Sequence, residues 1–166
     1  MKIRFLTGLD SAKYKSLRLE ALQNNPEAFS SSYEEEEKMP IRQTELKLNT
    51  KYTHTIGAFI DEDLIGIATL VVETKKKILH RAMIVAVYVH QDYRNAGIGK
   101  KIVTELIKKA KSMMSIEQIY LTVTANNHPA KQLYQSIGFE TYGIEKRALK
   151  IEDTYFDDEL MVLFIK

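Results

Sequence analysis

The sequence predicts a single α/β domain over residues 1–166, of the α+β kind, with a mixed, mostly antiparallel sheet flanked by about four helices. Short apolar runs separated by turn residues recur along the chain and are typical of strands. From Ile98 the apolar period changes to that of a helix. A chain of 166 residues can also bury about two thirds of its unfolded surface without disulfides. We therefore expect one core and one domain.

The first fifty residues predict a strand, a helix and a polar connection. Residues 2–6 alternate in polarity, and residues 11–29 carry apolar side chains at helical spacing up to Pro26. Residues 30–38, SSSYEEEEK, are polar and predict the most mobile loop of the chain. A weaker helical pattern follows at residues 41–50.

The middle of the chain predicts three antiparallel strands and then a long helix. The strands are residues 54–61, 64–73 and 78–90, and a turn at residues 61–63 separates the first two. The helix shows one apolar stripe. Its members are Ile98, Ile102, Val103, Leu106, Ile107 and Ala110.

The last fifty residues predict three strands and a short helix. QIYLTVT, residues 118–124, is the first strand. The helix that follows has Pro129 in its first turn and Gly138 as its stop. Residues 139–150 and 154–166 complete the chain as two strands joined by a turn.

Composition excludes several classes of protein. The formal net charge is only +2, so the chain lacks the overall basic field of a dedicated nucleic-acid binder. The absence of cysteine excludes disulfides and a covalent cysteine intermediate. No apolar run approaches the roughly 18 residues of a membrane span, so we expect a soluble, cytoplasmic protein. The four histidines have no ligand-like spacing, and we expect no metal.

The stretch VYVHQDYRNAGIGK, residues 87–100, runs from a strand through a turn into a helix. The first N–H groups of a helix lack intrahelical partners and attract anions. Gly97 and Gly99 leave room for a phosphate to approach the backbone, and Arg94 and Lys100 add positive charge. The alternative is a tight turn alone, with the lysine in solvent. The phosphate-loop pattern GxxxxGK[ST] and the dinucleotide pattern GxGxxG both fail here.

A second segment, NHPAKQLYQSIGF, places Tyr134 on the same helical face as Ala130, Leu133 and Ile137. By itself, a tyrosine at this position is explained by core packing, with its hydroxyl bonded locally.

Together the two segments resemble the GNAT family of N-acetyltransferases. The family pattern Arg/Gln-x-x-Gly-x-Gly/Ala after the fourth strand is present as Arg94, Gly97 and Gly99. The family pattern Asn-x-x-Ala-x-x-Leu-Tyr-x-x-x-Gly-Phe is matched at every fixed position. These positions are Asn127, Ala130, Leu133, Tyr134, Gly138 and Phe139. The order of elements is also similar, so the likeness covers nearly the whole chain.

The resemblance implies that acetyl-CoA is the co-substrate. The backbone of residues 87–89 would pair with the pantetheine amides, and the N–H groups of residues 98–100 would hold the pyrophosphate. Asn127 would contact the pantetheine, and Tyr134 would stand beside the sulfur. The implied cofactor-binding residues are Val87, Tyr88, Val89, Arg94, Asn95, Ala96, Gly97, Ile98, Gly99, Lys100, Asn127 and Tyr134.

Acetyl transfer requires a neutral amine, yet an alkyl amine of pKa about 10.4 is almost wholly protonated at pH 7. Family members often use a glutamate on the fourth strand as the base, but residues 78–90 contain no carboxylate. The candidates are His80, Glu34 or a neighbour in the acidic loop, and a water held by backbone carbonyls. A structural hydrogen bond explains His80 equally well. Tyr134 is the predicted general acid for the departing thiolate, and direct attack in a ternary complex is the simplest mechanism.

The acceptor stays open between a small-molecule amine and a protein N-terminus or lysine. A non-catalytic coenzyme A-binding module and a nucleotide- or RNA-binding module are the alternative functions, and Asn127 and Tyr134 argue against both. Residues 34–37, all glutamate, are either a solvated face or an attraction for a cationic amine. A homodimer through edge strands also stays open.

Overall fold

The computed structural model describes the whole chain, residues 1–166. In chain order its strands and α-helices are β1 (Lys2–Phe5), α1 (Ser11–Asn24), α2 (Tyr33–Glu37), α3 (Ile41–Asn49), β2 (Thr53–Ile60), β3 (Asp63–Val72), β4 (Arg81–Val89), α4 (Ile98–Ser112), β5 (Gln118–Thr124), α5 (His128–Gln135), β6 (Glu140–Ile151) and β7 (Thr154–Phe164). None of the helices combines the length and the apolar character that crossing a membrane requires.

The strands form one 7-stranded sheet in the order β1-β2-β3-β4-β5-β7-β6. All neighbouring strands are antiparallel except β4 and β5, which run parallel. A parallel pair needs a crossover connection, and α4 supplies it. The predicted α+β class with a mixed, mostly antiparallel sheet is confirmed, with five α-helices where about four were expected.

Helices cover both faces of the sheet. On one face the predicted stripe of α4 is buried against the sheet and α5, and Ile102, Val103 and Leu106 are each 0% exposed. On the other face α1 and α3 bury Leu17 and Leu48 against the sheet. Burying an aliphatic side chain of this size contributes about 1.5–3 kcal/mol. This packing fixes α4, and therefore its N-terminus, relative to the end of β4.

The prediction of a mobile loop at residues 30–38 is wrong for most of that segment, because α2 lies within it. Ser32 caps α2 by accepting the N–H of Glu35 at 3.2 Å, and the Glu35 carboxylate accepts the N–H of Ser32 at 2.9 Å. Glu36 pairs with the buried Arg18 guanidinium, with one N–O distance of 2.8 Å. Glu35 and Glu36 therefore have a capping contact and an ion pair that the charge pattern did not reveal.

Candidate active site

β4 and β5 are paired at one end only. Their ladder consists of three residue pairs, which are Arg81 with Gln118, Ala82 with Ile119 and Met83 with Tyr120. Residues 84–89 of β4 and 121–124 of β5 have no pairing with each other, although β3 and β7 hold their outer edges. The sheet is therefore split between its two parallel strands. Backbone groups along the facing edges of this split are available to pair with an extended ligand.

A bulge interrupts β4 inside the split. Ala86 has a φ of 55°, and the register between β3 and β4 shifts at this point. The left-handed conformation costs an alanine about 1–2 kcal/mol, and such strain is concentrated at functional sites. After the bulge, Val87 packs on the core beneath α4. Tyr88 faces α1, where its hydroxyl donates a 2.8 Å hydrogen bond to Glu20. Alanine gives no sequence signal for a left-handed residue, so the bulge could not be predicted.

The helix that follows the open end of β4 begins with unpaired backbone donors. Gly97 is the N-cap of α4, with a φ of 73°, and no side chain caps the helix. The first backbone bond of α4 joins the Lys101 N–H to the Gly97 carbonyl at 3.1 Å. The N–H groups of Ile98, Gly99 and Lys100 precede that bond and have no partner in the chain. With the positive end of the helix dipole, these three groups offer hydrogen-bond donors to an anion.

The two glycines of this turn have different surroundings. A Cβ at Gly97 would meet no atom within 4 Å, so this residue faces open space. A Cβ at Gly99 would lie 3.0 Å from Cδ1 of Leu133 in α5. Gly97 therefore supplies the left-handed turn and leaves the approach clear, whereas Gly99 lets α4 lie close against α5. The sequence predicts phosphate access for both glycines, with a tight turn as the alternative, and does not distinguish their roles.

Arg94 holds the turn to the rest of the molecule. Its Nε donates to the Val89 carbonyl at 3.0 Å, and an Nη donates to Oδ1 of Asn25 at 2.9 Å. These bonds tie the end of β4 to the end of α1, while other donors of the guanidinium stay available for a ligand. Asn95 adopts a left-handed φ of 63°, which asparagine tolerates well. Ala96, like Arg94, is exposed.

Asn127 lies at the start of α5, directly after the free part of β5. Its side-chain oxygen caps the helix by accepting the Ala130 N–H at 3.3 Å. The N–H groups of its carboxamide donate no hydrogen bond within the chain and are available to a carbonyl of a ligand. One side chain can therefore order α5 and contact a bound molecule.

Tyr134 is 6% exposed and packs edge-to-face on Phe139, with ring centroids 6.0 Å apart. Its hydroxyl makes no hydrogen bond within the chain, so the local-bonding alternative for this tyrosine does not hold. Burial raises the pKa of Tyr134 far above the ordinary phenol value. The hydroxyl is consequently neutral at working pH and can act as a hydrogen-bond donor.

The structure does not bring His80 to the split. His80 lies in the turn before β4, at the paired end, and its carbonyl accepts the Glu117 N–H at 2.8 Å. The nine residues from His80 to Val89 cover about 30 Å of extended chain. The strand prediction had begun at residue 78, whereas β4 begins at Arg81. Glu34 is exposed on α2, which packs on α1.

A separate cleft of about 490 Å³ lies between α1, the start of β3 and the turn after β4. Glu20 and His90 line it, and their side chains approach to 3.7 Å. No residue of β5 or α5 lines this cleft, so it is not part of the split.

Comparison with known proteins gives one family. The model of the family described as "Acetyltransferase (GNAT) family" matches residues 17–139. The chain is similar to the L-amino acid N-acetyltransferase AaaT of Escherichia coli, with 29% identity over 100 residues. That alignment covers 60% of this chain and 61% of the relative, so the chain spans about three fifths of the relative's length.

Solved structures share the fold over the whole chain. The acetyltransferase of GNAT family from Streptococcus pneumoniae has a TM-score of 0.89 at 24% identity and covers 99% of each chain. YncA from Salmonella typhimurium, solved with its cofactor acetyl-CoA, has a TM-score of 0.82 at 17% identity. The aligned regions are 100% of this chain and 94% of YncA. At these identities the structural likeness concerns the fold.

Proposed function

Since this chain belongs to the GNAT acetyltransferase family, we propose that it transfers the acetyl group of acetyl-CoA to a primary amine. One observation carries the proposal. The split between β4 and β5 opens beside the uncapped N-terminus of α4, and the unbonded hydroxyl of Tyr134 lies beneath the same sheet. The split can accept a pantetheine arm, and the helix N-terminus can accept a pyrophosphate. The Tyr134 hydroxyl is a donor for a leaving thiolate.

The residues of the split suit the parts of acetyl-CoA. Residues 87–89 lie on an unpaired strand edge, where backbone groups can bond the amides of pantetheine. The free N–H groups of residues 98–100 suit a pyrophosphate, because charged acceptors form the stronger hydrogen bonds. The free carboxamide donors of Asn127 suit a carbonyl of the same arm. Arg94 holds the turn in place.

In the reaction, the amine nitrogen attacks the thioester carbonyl and the carbon–sulfur bond breaks. The thiolate that leaves has an ordinary pKa of about 8.5. The Tyr134 hydroxyl, kept neutral by burial, donates to the sulfur as negative charge develops there. Because the pKa of Tyr134 is raised, full proton transfer from Tyr134 to the thiolate requires that the site also raise the pKa of the coenzyme A thiol. Hydrogen-bond donation to the sulfur therefore precedes protonation.

The acceptor is proposed as a primary amine, either a small molecule or a protein N-terminus or lysine. The relative from Escherichia coli acts on L-amino acids by its name, and the same nucleophile occurs in all these acceptors. A non-catalytic coenzyme A-binding module would have no use for a tyrosine hydroxyl without a partner in the chain, so the enzyme is the better supported function.

Two measurements test the proposal. Calorimetry should show that acetyl-CoA binds much more tightly than S-acetylpantetheine, which lacks the pyrophosphate. Thiol release from acetyl-CoA should then be followed with spermidine, L-amino acids and a short peptide with a free N-terminus. Equal affinity for the two thioesters would contradict the anion site. Tight binding without amine-dependent thiol release from any acceptor would favour a binding module.

A further inference from the structure

Three consecutive acidic residues in β7 have different surroundings. Asp157 accepts a 2.9 Å bond from Lys146 and a 2.8 Å bond from the N–H of Arg147. Glu159 forms an ion pair with Lys131 of α5. Asp158, between them, is half-buried and has neither a hydrogen bond nor an ion pair in the chain. Its flanking carboxylates stabilise the fold, and Asp158 has no such contact.

Asp158 faces the side of the sheet that is opposite to Tyr134. Successive side chains of a strand point to opposite faces. Met161 of β7 lies in the core beneath α4, together with Tyr134, and Glu159 bonds to α5 on that same face. The continuous register of β5 with β7 therefore places Asp158 on the α1 face.

The register also places Asp158 beside the split. Its partner across the β5–β7 ladder is Thr124, the last residue of the free part of β5. Strand partners lie about 5 Å apart, so Asp158 is one strand away from the opening. The Thr124 hydroxyl donates to the carbonyl of Glu27 at 2.8 Å, which brings the segment after α1 to the same place. Asp158 therefore borders the end of the split on the α1 face, next to the segment that follows α1.

We propose that Asp158 binds the ammonium group of the acceptor and takes its proton. The inference rests on the proposed acetyl transfer, and it supplies the base that β4 lacks. An acceptor held at Asp158 enters the split from the α1 face, while the Tyr134 hydroxyl meets the sulfur from the α4 face. The two proton-transfer groups then approach the bound thioester from opposite faces of the sheet, so the base acts on the nitrogen and the acid acts on the sulfur.

The charges around Asp158 favour a cationic partner. Burial raises the pKa of Asp158, and the carboxylates of Glu145 in β6 and Asp157 in β7 raise it further. The facing residue of β5 is the uncharged Thr124, and no lysine, arginine or histidine bonds to Asp158. An ammonium group would relieve this repulsion, and a carboxylate with a raised pKa is the better proton acceptor.

The step balances in atoms and charge. The acceptor ammonium gives one proton to Asp158 and becomes a neutral amine. The nitrogen forms its bond to the carbonyl carbon, and the carbon–sulfur bond breaks with its electron pair on sulfur. The nitrogen loses a second proton as the amide forms. Tyr134 delivers a proton to the thiolate and is reprotonated from solvent, which receives the second proton of the nitrogen and the proton held by Asp158.

The test compares Asp158→Asn with the matched neighbour Asp157→Asn, using spermidine and an L-amino acid as probes. Asp158→Asn should lower kcat/KM for the amine by about 10²–10⁴-fold, the range for general base catalysis. The affinity for acetyl-CoA should not change. Asp157→Asn should retain most of the activity, because its amide oxygen can still accept the Arg147 N–H and because Asp157 contributes least to the raised pKa of Asp158.

The pH profile separates a base from a structural role. In the wild-type enzyme, kcat/KM for the amine should vary little between pH 7 and 9, because Asp158 binds the ammonium form of the amine. In Asp158→Asn only neutral amine reacts, so kcat/KM should rise about tenfold per pH unit below the amine pKa. Equal activity and parallel profiles for the two proteins would overturn the role of Asp158. Wild type that binds acetyl-CoA but acetylates no amine would instead refute the proposed function.

Discussion

Replacing Tyr134 by phenylalanine separates the packing of this side chain from its chemistry. The ring is 6% exposed and contacts Phe139, and the substitution retains that contact. The hydroxyl has no hydrogen bond within the chain, so its removal leaves no donor or acceptor of the chain unpaired. We therefore expect the free energy of unfolding of Tyr134→Phe to equal or exceed that of wild type.

The same substitution should slow the reaction. Loss of a donor to the developing thiolate is expected to lower kcat by about 10²–10⁴-fold, while the Kd for acetyl-CoA changes little. Thiol release at saturating acetyl-CoA measures kcat, and urea denaturation measures stability. Tyr52→Phe is the activity control, since Tyr52 is 44% exposed and lies outside the split.

A second tyrosine provides the contrast in stability. The Tyr88 hydroxyl donates a 2.8 Å bond to Glu20, so Tyr88→Phe should lower the free energy of unfolding by about 1–2 kcal/mol. If Tyr134→Phe were destabilised by more than about 1 kcal/mol, its hydroxyl would have a buried partner after all. A stable Tyr134→Phe protein with full activity would remove this residue from the mechanism.

Three further outcomes are expected. Gly97→Val should raise the Kd for acetyl-CoA at least tenfold in calorimetry, since the side chain enters open space before the free N–H groups. The left-handed backbone at this position should also lower the free energy of unfolding of the variant by about 1–2 kcal/mol. Unchanged affinity in the folded variant would contradict the anion site. Arg4 holds the pKa of Asp10 at about 2, so Asp10 stabilises the fold above about pH 4 and loses that contribution as the pH falls toward about 2. Urea denaturation of Asp10→Asn should show a deficit of about 1–2 kcal/mol at pH 7 that shrinks below pH 4; a constant deficit would refute this linkage. Glu34 and Glu37 are the glutamates of α2 without a capping or arginine contact. Replacing both by glutamine should raise the KM for spermidine and should not change the KM for acetyl-CoA. An unchanged KM for spermidine would mean that these two residues are an ordinary solvated face.

The sequence by itself determined the features that depend on neighbouring residues. The apolar stripe of α4 follows from spacing along one helix, and all six predicted side chains of that stripe are buried. The left-handed turn at Gly97 and the start of the helix are likewise local, because the φ of one residue and the first unpaired N–H groups require no distant contact. The position of the proposed anion site could therefore be predicted before any strand was placed.

Only the tertiary structure decided which side chains are free to act. The same run of four glutamates contains Glu36, paired with a buried arginine 18 residues away, and Glu34, which has no partner. In β7, Asp158 is unpaired between two carboxylates that bond to lysines. The split and the bulge at Ala86 depend on the register of strands that are distant in sequence. A periodic pattern predicts that side chains alternate between the two faces of a sheet. It does not predict which distant residue lies opposite each side chain. The identity of that residue determines whether a charge is neutralised or left for a substrate.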